Sequence, residues 1–358
     1  MAGPAVKYRT VDGSSSESVF MGYIGAHRQA IMKRVFDFLP AKSKNGGLVG
    51  DYIGMVRDYP ERGGKYVRPG LVMLSCEVSG GKASIALTTA AAMEISEDWI
   101  LMHDDFQDHS LERRGKPAAP VLYGDELTVN AGDHLHIIMW EALLANCKEL
   151  GERKSTAISG EMVSILKTTC EGQYLDIGWM QSGRFVTENQ YYEMIDRKTG
   201  GYTIIGPLRL GALVAGNVKA MAPLATFGKP LGRAFQIHDD WLNVFSSKTG
   251  KELGGDILEG KRTLLLIRLL DRLEKAGKDR KARELRALFR KNRAERTWDD
   301  VREVIALYED YGCMDWARER ALGYAQEARK ALAKVPYKSK EHKAILVDAI
   351  EFIVNREL

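Results

Sequence analysis

From about residue 18 onward, nearly every long stretch of this chain repeats its apolar residues at intervals of three and four. I-M-K-R-V-F-D-F-L (31–39), M-W-E-A-L-L-A-N-C (139–147) and T-L-L-L-I-R-L-L-D-R-L (263–273) show the pattern, and no run alternates β-branched residues in the manner of a strand. A helix turns once per 3.6 residues, so this spacing gathers apolar side chains on one stripe, which must then be buried against another helix. Only ten prolines interrupt the pattern in 358 residues. The expected fold is all-α. Glycine-rich joints at 61–64, 79–81, 199–201 and 250–260 are expected to separate the helices, and none has the length of a linker. One domain over 18–358 is therefore expected, preceded by a flexible polar arm at 1–17 that contains S-S-S-E.

With 45% hydrophobic residues the chain can bury a large core. A formal charge of +4 suits an anionic small substrate but is too small to predict a nucleic-acid surface. The Arg- and Lys-rich stretch 278–291 accordingly reads as a solvated helix face. Cys76, Cys147, Cys170 and Cys313 lie far apart with no C-x-x-C pair, and read as buried thiols of a reducing compartment. No apolar run approaches the roughly 20 residues that cross a bilayer, and the N-terminus lacks a signal-peptide core. A cytoplasmic protein with no stable membrane insertion is expected.

Two stretches of this helical sequence carry a cost. L-M-H-D-D-F-Q-D occupies 101–108 and I-H-D-D-W-L-N occupies 237–243. On a helix, Asp104 and Asp108 lie one turn apart on one face with Asp105 beside them, and Asp239, Asp240 and Asn243 repeat the arrangement. Stacked carboxylates repel, so each cluster needs a compensating cation or a well-solvated face. Hard divalent cations take oxygen ligands, and magnesium commonly binds one or two carboxylates, completing its shell with water and substrate phosphate. One such cluster is explained as readily by an exposed ion-pair face; two of them point to a shared metal. His103 and His238 precede the clusters without zinc-type spacing and read as partners that orient the aspartates.

Cations gather in the surrounding segments: G-G-K-Y-V-R-P (63–69), L-E-R-R-G-K-P (111–117), D-R-K-T-G (196–200) and G-K-E-L-G-G-D-I-L-E-G-K-R-T-L (250–264). Carboxylates alternating with Lys and Arg around glycines suit a polyphosphate held partly through metal and partly by direct ion pairs. The glycine spacings match neither a P-loop nor a dinucleotide fingerprint, which disfavours a nucleoside triphosphate.

In their order these motifs resemble those of the trans-isoprenyl diphosphate synthases, the polyprenyl synthetase family, over about residues 60–270. H-D-D-F-Q-D-H-S-L-E-R-R-G-K-P is similar to the family's first aspartate-rich motif, F-Q-I-H-D-D-W-L-N to its second, and G-G-K-Y-V-R-P to its isopentenyl-diphosphate motif. E-G-Q-Y-L-D (171–176), R-K-T (197–199) and G-G-D-I-L-E-G-K-R-T-L (254–264) match the remaining landmarks. The resemblance implies a helical bundle around a deep central cavity, usually a homodimer. It implies that Asp104, Asp105, Asp108, Asp239 and Asp240, with Asn243, hold about three Mg2+ ions against an allylic diphosphate, with Mn2+ able to substitute. Arg113, Lys198 and Lys251 would contact that diphosphate, with Thr199 and Lys261 nearby. Lys65, Arg68 and Arg114 would hold isopentenyl diphosphate. Gln173 and Asp176 would lie on a facing helix, with Gln236 just ahead of the second cluster. The implied reaction is metal-assisted ionisation of the allylic diphosphate, attack by the alkene of isopentenyl diphosphate, and proton loss to the released pyrophosphate.

The chain departs from that pattern at three positions. Asn243 stands in place of a third aspartate, keeping an oxygen but losing a charge. Tyr66 stands beside Lys65 where a basic or small residue is common. Glu97 stands seven residues before Asp104, where the family usually has histidine, and two helical turns bring it to the same side. A carboxylate there repels a diphosphate unless Lys65, Arg68 or Arg114 neutralises it or it is protonated, and Asp98 adds further charge. A terpene synthase, which ionises a prenyl diphosphate and needs no second substrate, is the alternative; a non-catalytic partner subunit is a further one. Because Lys65, Arg68 and Arg114 remain, chain elongation is the expected reaction.

Product length is expected to follow the wall below Asp104, where Ile100, Ser96 and Met93 descend by about 5.4 Å per turn. Helical spacing turns Trp99 away from the aspartate face; the resemblance alone makes Trp99 and Ile100 a floor. Small Ser96 is expected to leave depth behind Ile100, while bulky Trp99 argues against long chains. The first motif also lacks the two-residue insertion of many short-chain bacterial farnesyl synthases. The expected product is geranylgeranyl diphosphate (C20), with C15 next.

Overall fold

The computed structural model describes residues 7–9, 15–42, 46–245 and 253–356. The periodic segments are helical: 31–39 closes the helix Val19–Phe38, 139–147 lies within Asp125–Leu150, and 264–273 lies within Leu264–Lys275. Thr263 caps that last helix with its hydroxyl, satisfying a backbone N–H that would otherwise lack a partner. Along Asp279–Arg290 only Ala282, Leu285 and Phe289 are buried, so the basic stretch is a solvated face. Among the described residues the strands are two short antiparallel pairs, Lys7–Arg9 with Ser15–Glu17 and Glu112–Arg113 with Lys116–Pro117. The first gives part of the expected loose arm a defined pairing. The second folds R-R-G-K-P back on itself, with Arg114 (φ 54) and Gly115 (φ 72) in the left-handed region that a two-residue hairpin turn requires.

The helix Leu87–Gln107 packs along Asp125–Leu150, and Met221–Phe245 packs along Cys313–Ala333. Buried side chains form two clusters. The larger runs from Phe20 to Ala234 and is joined by the C-terminal helix Lys340–Asn355; the smaller lies between Trp179 and Ala321. Leu87–Gln107, Glu152–Gln181 and Met221–Phe245 together wall a central cavity.

The glycines at 199–201 do not form the expected joint. They lie inside one continuous helical run, Glu188–Ile195 then Asp196–Ile205 then Gly206–Ala215, whose middle part is wound as a π-helix. Close helix contact explains the glycines here. A Cβ on Gly232 would sit 2.6 Å from the Cα of Gly200, and one on Gly172 would sit 2.4 Å from the backbone nitrogen of Lys198. Cys76 and Cys313 are buried as expected, whereas Cys147 and Cys170 are exposed; all four are free thiols. No described helix is long and apolar enough to cross a membrane.

Candidate active site

The central cavity has a volume of about 390 Å³. Its wall brings together Lys65, Arg68 and Glu97 at one part, Asp104, Gln173, Asp176, Lys198 and Thr199 at another, and Gln236, Asp239, Asp240, Asn243 and Lys261 at a third. Trp99 and Ile100 also line it. Ser96, Asp105, Asp108, Arg113 and Arg114 stand behind this wall, and Lys251 lies outside the described residues.

The first acidic cluster divides by function. Asp104 faces the cavity, accepts a hydrogen bond from Gln173 Nε2 at 3.1 Å, and lies 4.0 Å from Lys198 Nζ. Asp105 is 0% exposed and faces the other way, accepting from Arg113 Nε at 2.9 Å and from the Tyr59 hydroxyl at 2.5 Å. The expected metal ligand and the expected diphosphate ligand are thus each other's partners, clamping the Glu112–Arg113 hairpin strand to the helix. Asp108 caps the end of this helix with its N–H on the Asp104 carbonyl at 2.8 Å, one turn from Asp104 as expected, but it does not line the cavity. Asp108 binds Lys261 Nζ at 2.9 Å instead; burial raises its carboxyl pKa while the Lys261 charge opposes the rise. Lys198 donates to Asp176 at 2.7 Å. Burial works against the Lys198 ammonium, but the Asp176 and Asp104 carboxylates outweigh it and raise its pKa.

In the second cluster Asp240 accepts from Gln236 Nε2 at 2.7 Å and from the buried Tyr191 hydroxyl, while Gln236 in turn accepts from the Thr199 hydroxyl at 2.6 Å. Burial, and then the charge of Asp256, push the Asp240 carboxyl up to about 7. Asp239 is more open, with 41% of its side chain exposed, and is ion-paired to Arg356 from the end of the chain. Asn243 is not an open ligand: its Oδ1 accepts the Asp256 N–H at 3.1 Å and its carbonyl accepts the Gly254 N–H at 2.7 Å. It anchors the turn that brings Asp256 to the cavity wall. Neither histidine orients an aspartate. His103 Nε2 lies 3.2 Å from the Val129 carbonyl, and His238 Nε2 donates to the Arg356 carbonyl at 2.8 Å. Each precedes its aspartate by one residue, and about 100° of helix rotation turns it to a different neighbour.

At the part of the wall that holds Lys65 and Arg68, the neutralisation expected for Glu97 is present, since Arg68 Nη1 lies 2.7 Å from it. Arg114 donates to Asp98 at 2.9 Å and to the Tyr59 carbonyl at 2.9 Å. Burial, opposed by Arg114, pushes the Asp98 carboxyl up to about 7.

The floor differs from the expectation. Ser96 is fully buried, and its hydroxyl lies 2.8 Å from that of Tyr202, which also lines the cavity. Small Ser96 therefore faces a tyrosine hydroxyl and does not itself line the cavity. Trp99, although five residues from Asp104, still reaches the wall, with its ring stacked on His136 at 4.1 Å between centroids. The residues that sequence reasoning missed are Tyr191, Tyr202 and Arg356, each distant in sequence from the acidic motifs and unmarked by any motif.

The donors suit a hard cation. Asp104, Asp239 and Asp240 offer carboxylate oxygens to the cavity, yet among the described residues no three His, Cys, Asp or Glu converge closely enough to hold an ion alone. An ion here would complete its shell with water and phosphate oxygens, which is the habit of magnesium. A pH dependence follows. Asp240 holds its proton more tightly folded than unfolded, so its contribution to stability, full below the usual aspartate range of about 4, is lost as pH rises through about 7. Magnesium requires the ionised carboxylate and offsets that loss. The rise in melting temperature on adding Mg2+ is expected to be larger near pH 8 than near pH 6. Paired melts at each pH, with and without the metal, check this.

The profile of the polyprenyl synthetase family matches residues 52–308. The short chain isoprenyl diphosphate synthase of Methanothermobacter thermautotrophicus is 35% identical over 298 residues, covering 82% of this chain and 87% of that one. The crystal structure of geranylgeranyl pyrophosphate synthetase from Pyrococcus horikoshii superposes with a TM-score of 0.81 at 30% identity, over 94% of this chain and 98% of that one. The geranylgeranyl pyrophosphate synthase of Corynebacterium glutamicum, solved with isoprenyl diphosphate and magnesium, superposes with a TM-score of 0.82 at 26% identity, over 92% and 98%. With the family profile matched over residues 52–308 and the helical fold shared over most of both chains, this chain belongs to the polyprenyl synthetase family.

Proposed function

We propose that this protein is a magnesium-dependent short-chain prenyltransferase that condenses isopentenyl diphosphate with an allylic diphosphate. The observation that carries this is the placement of two anion-binding ends in one cavity: carboxylates with Lys198 and Lys261 at one, Lys65 and Arg68 at the other. Bound magnesium supplies charge that neutralises the departing diphosphate. Asp104, Asp239 and Asp240 hold the metal, and Lys198 and Lys261 contact the leaving group directly. Lys65 and Arg68 hold isopentenyl diphosphate. Trp99, Ile100, Leu166 and Phe235 line the same cavity and exclude water from the allylic cation. The released pyrophosphate takes the final proton. About three Mg2+ ions, with Mn2+ able to replace them, belong to the same proposal. So does a single catalytic unit over 18–358. A homodimer is part of it too, supported by exposed Leu127, Ile137 and Leu144 on the helix Asp125–Leu150. A cytoplasmic setting suits the exposed free thiols Cys147 and Cys170.

The favoured product is geranylgeranyl diphosphate, with C15 second, because bulky Trp99 and medium-sized Ile100 stand at the cavity wall. Incubation with dimethylallyl, geranyl, farnesyl or geranylgeranyl diphosphate, each with and without isopentenyl diphosphate, tests the reading. Products are analysed intact and after phosphatase treatment. Hydrocarbon or alcohol formed without isopentenyl diphosphate would support a terpene synthase, and no pyrophosphate release by the protein alone would support a non-catalytic subunit. Trp99→Ala is expected to lengthen the product by one or more five-carbon units; an unchanged distribution removes Trp99 from the floor.

A further inference from the structure

We propose that Glu97 sets the affinity for the second substrate by competing with its diphosphate for Arg68. The inference rests on the reading of Lys65 and Arg68 as the isopentenyl diphosphate end. Glu97 has 16% of its side chain exposed and lies on the cavity wall, where Arg68 Nη1 is 2.7 Å away. The other terminal nitrogen of Arg68 donates to the Thr203 hydroxyl at 3.0 Å, and the guanidinium lies 4.9 Å from the centre of the Tyr202 ring. Both arms of the fork are therefore engaged, and its plane is fixed by the aromatic face beneath it.

Arg68 Nε is buried, so a diphosphate seeking a two-pronged contact through the two terminal nitrogens meets Glu97 and Thr203 as competitors for them. Thr203 is neutral, so Glu97 is the one whose displacement exchanges one ion pair for another. The neighbouring guanidinium, Arg114, does not line the cavity. Arg114 is held by Asp98 at 2.9 Å and by the Tyr59 carbonyl at 2.9 Å, and its Nη2 lies 3.9 Å from Glu97. Glu94, Glu97 and Asp98 share one face of the helix at spacings of three and four. Three carboxyl groups thus surround two guanidinium groups, and the site is neutralised from within before any anion enters. Lys65 has no such partner among the described residues, so it provides the first contact and Arg68 the contested one. The exchange makes the second substrate's binding weaker than the count of cations implies.

The test compares the full-length protein with Glu97→Gln, which keeps size and hydrogen bonding but removes the charge, and with Glu97→Ala as a second charge-free variant. Thermal melts verify folding. Isopentenyl diphosphate KM is measured at saturating geranyl diphosphate, and binding of isopentenyl diphosphate alone is measured by calorimetry. Both charge-free variants are expected to lower that KM and Kd about tenfold, with the KM for geranyl diphosphate unchanged. In an Arg68→Gln background the Glu97→Gln gain is expected to vanish. Unchanged or weaker isopentenyl diphosphate binding in a protein that still elongates, or a gain that persists without Arg68, overturns the competition. Absence of isopentenyl diphosphate binding and elongation in the wild type and both variants overturns instead the assignment of this end of the cavity.

Discussion

Asp104→Ala and Asp239→Ala are each expected to lower kcat by about two orders of magnitude or more. Asp104→Ala is expected to leave the melting temperature nearly unchanged, and Asp239→Ala to lower it modestly because Arg356 loses its ion-pair partner. Both carboxylates face the cavity, and neither fills core volume. Each stands beside another aspartate, so its removal relieves repulsion as well as removing a proposed metal ligand. Asp105→Ala provides the contrast. Its carboxylate is buried against Arg113 and Tyr59, and its loss leaves a buried guanidinium with only the Asp104 carboxylate, 3.9 Å away. Breaking such a pair costs about 3–5 kcal/mol, so this variant is expected to fail in folding and not in chemistry. Steady-state kinetics at saturating Mg2+, set beside thermal melts, separate the two kinds of loss. Wild-type turnover by Asp104→Ala or Asp239→Ala at excess Mg2+ would sink the metal assignment.

Gly172→Ala is expected to impair both folding and turnover. Its new Cβ would lie 2.4 Å from the backbone nitrogen of Lys198, 2.7 Å from its Cα and 2.8 Å from its Cβ. The first two are main-chain atoms inside the π-helical segment and cannot swing aside, so the helices must separate. Overpacking of this kind costs about 1–3 kcal/mol. The displaced residue is also a proposed diphosphate ligand, so kcat is expected to fall by about tenfold or more even where the fold survives. Gly178→Ala on the same helix is the control, because nothing lies within 4 Å of a Cβ there. That change is expected to be neutral or stabilising by up to about 1 kcal/mol, through helix propensity alone. Denaturation midpoints and kcat for the pair check the prediction, and equal behaviour of the two glycines would refute it.

Much of this architecture was legible because helical periodicity and oxygen-rich clusters are local signals. Asp104, Asp239, Asp240, Lys198 and Lys261 all reach the cavity as the motifs implied. The misassignments have a common physical origin: adjacent residues on a helix point about 100° apart, so a motif names neighbours in sequence that part company in space. Asp105 turned inward to Arg113, and His103 and His238 turned to backbone carbonyls. Asn243 was read as a ligand because its spacing copied Asp108, whereas its amide is engaged by the turn that follows. Ser96 was read as empty depth because a small side chain says nothing of the large one that faces it from another helix, here Tyr202. The glycines at 199–201 signal equally a turn or a close helix contact until the partner, Gly232, is known.

Arg356, paired with Asp239 from the far end of the chain, has a practical corollary. The stretch that matches the family profile stops at residue 308, well short of it. A fragment trimmed to those limits would lose this arginine and the helix Lys340–Asn355, whose Ile350 and Ile353 are buried in the main core. It would also lose the Val19–Phe38 helix, whose start is fastened to Asp348 by the Ser18 hydroxyl and the Phe20 N–H, each at 2.8 Å. The smallest active piece of this protein is therefore expected to be larger than its recognisable motif block, and a purification tag joined after the last helix would emerge beside the second aspartate pair.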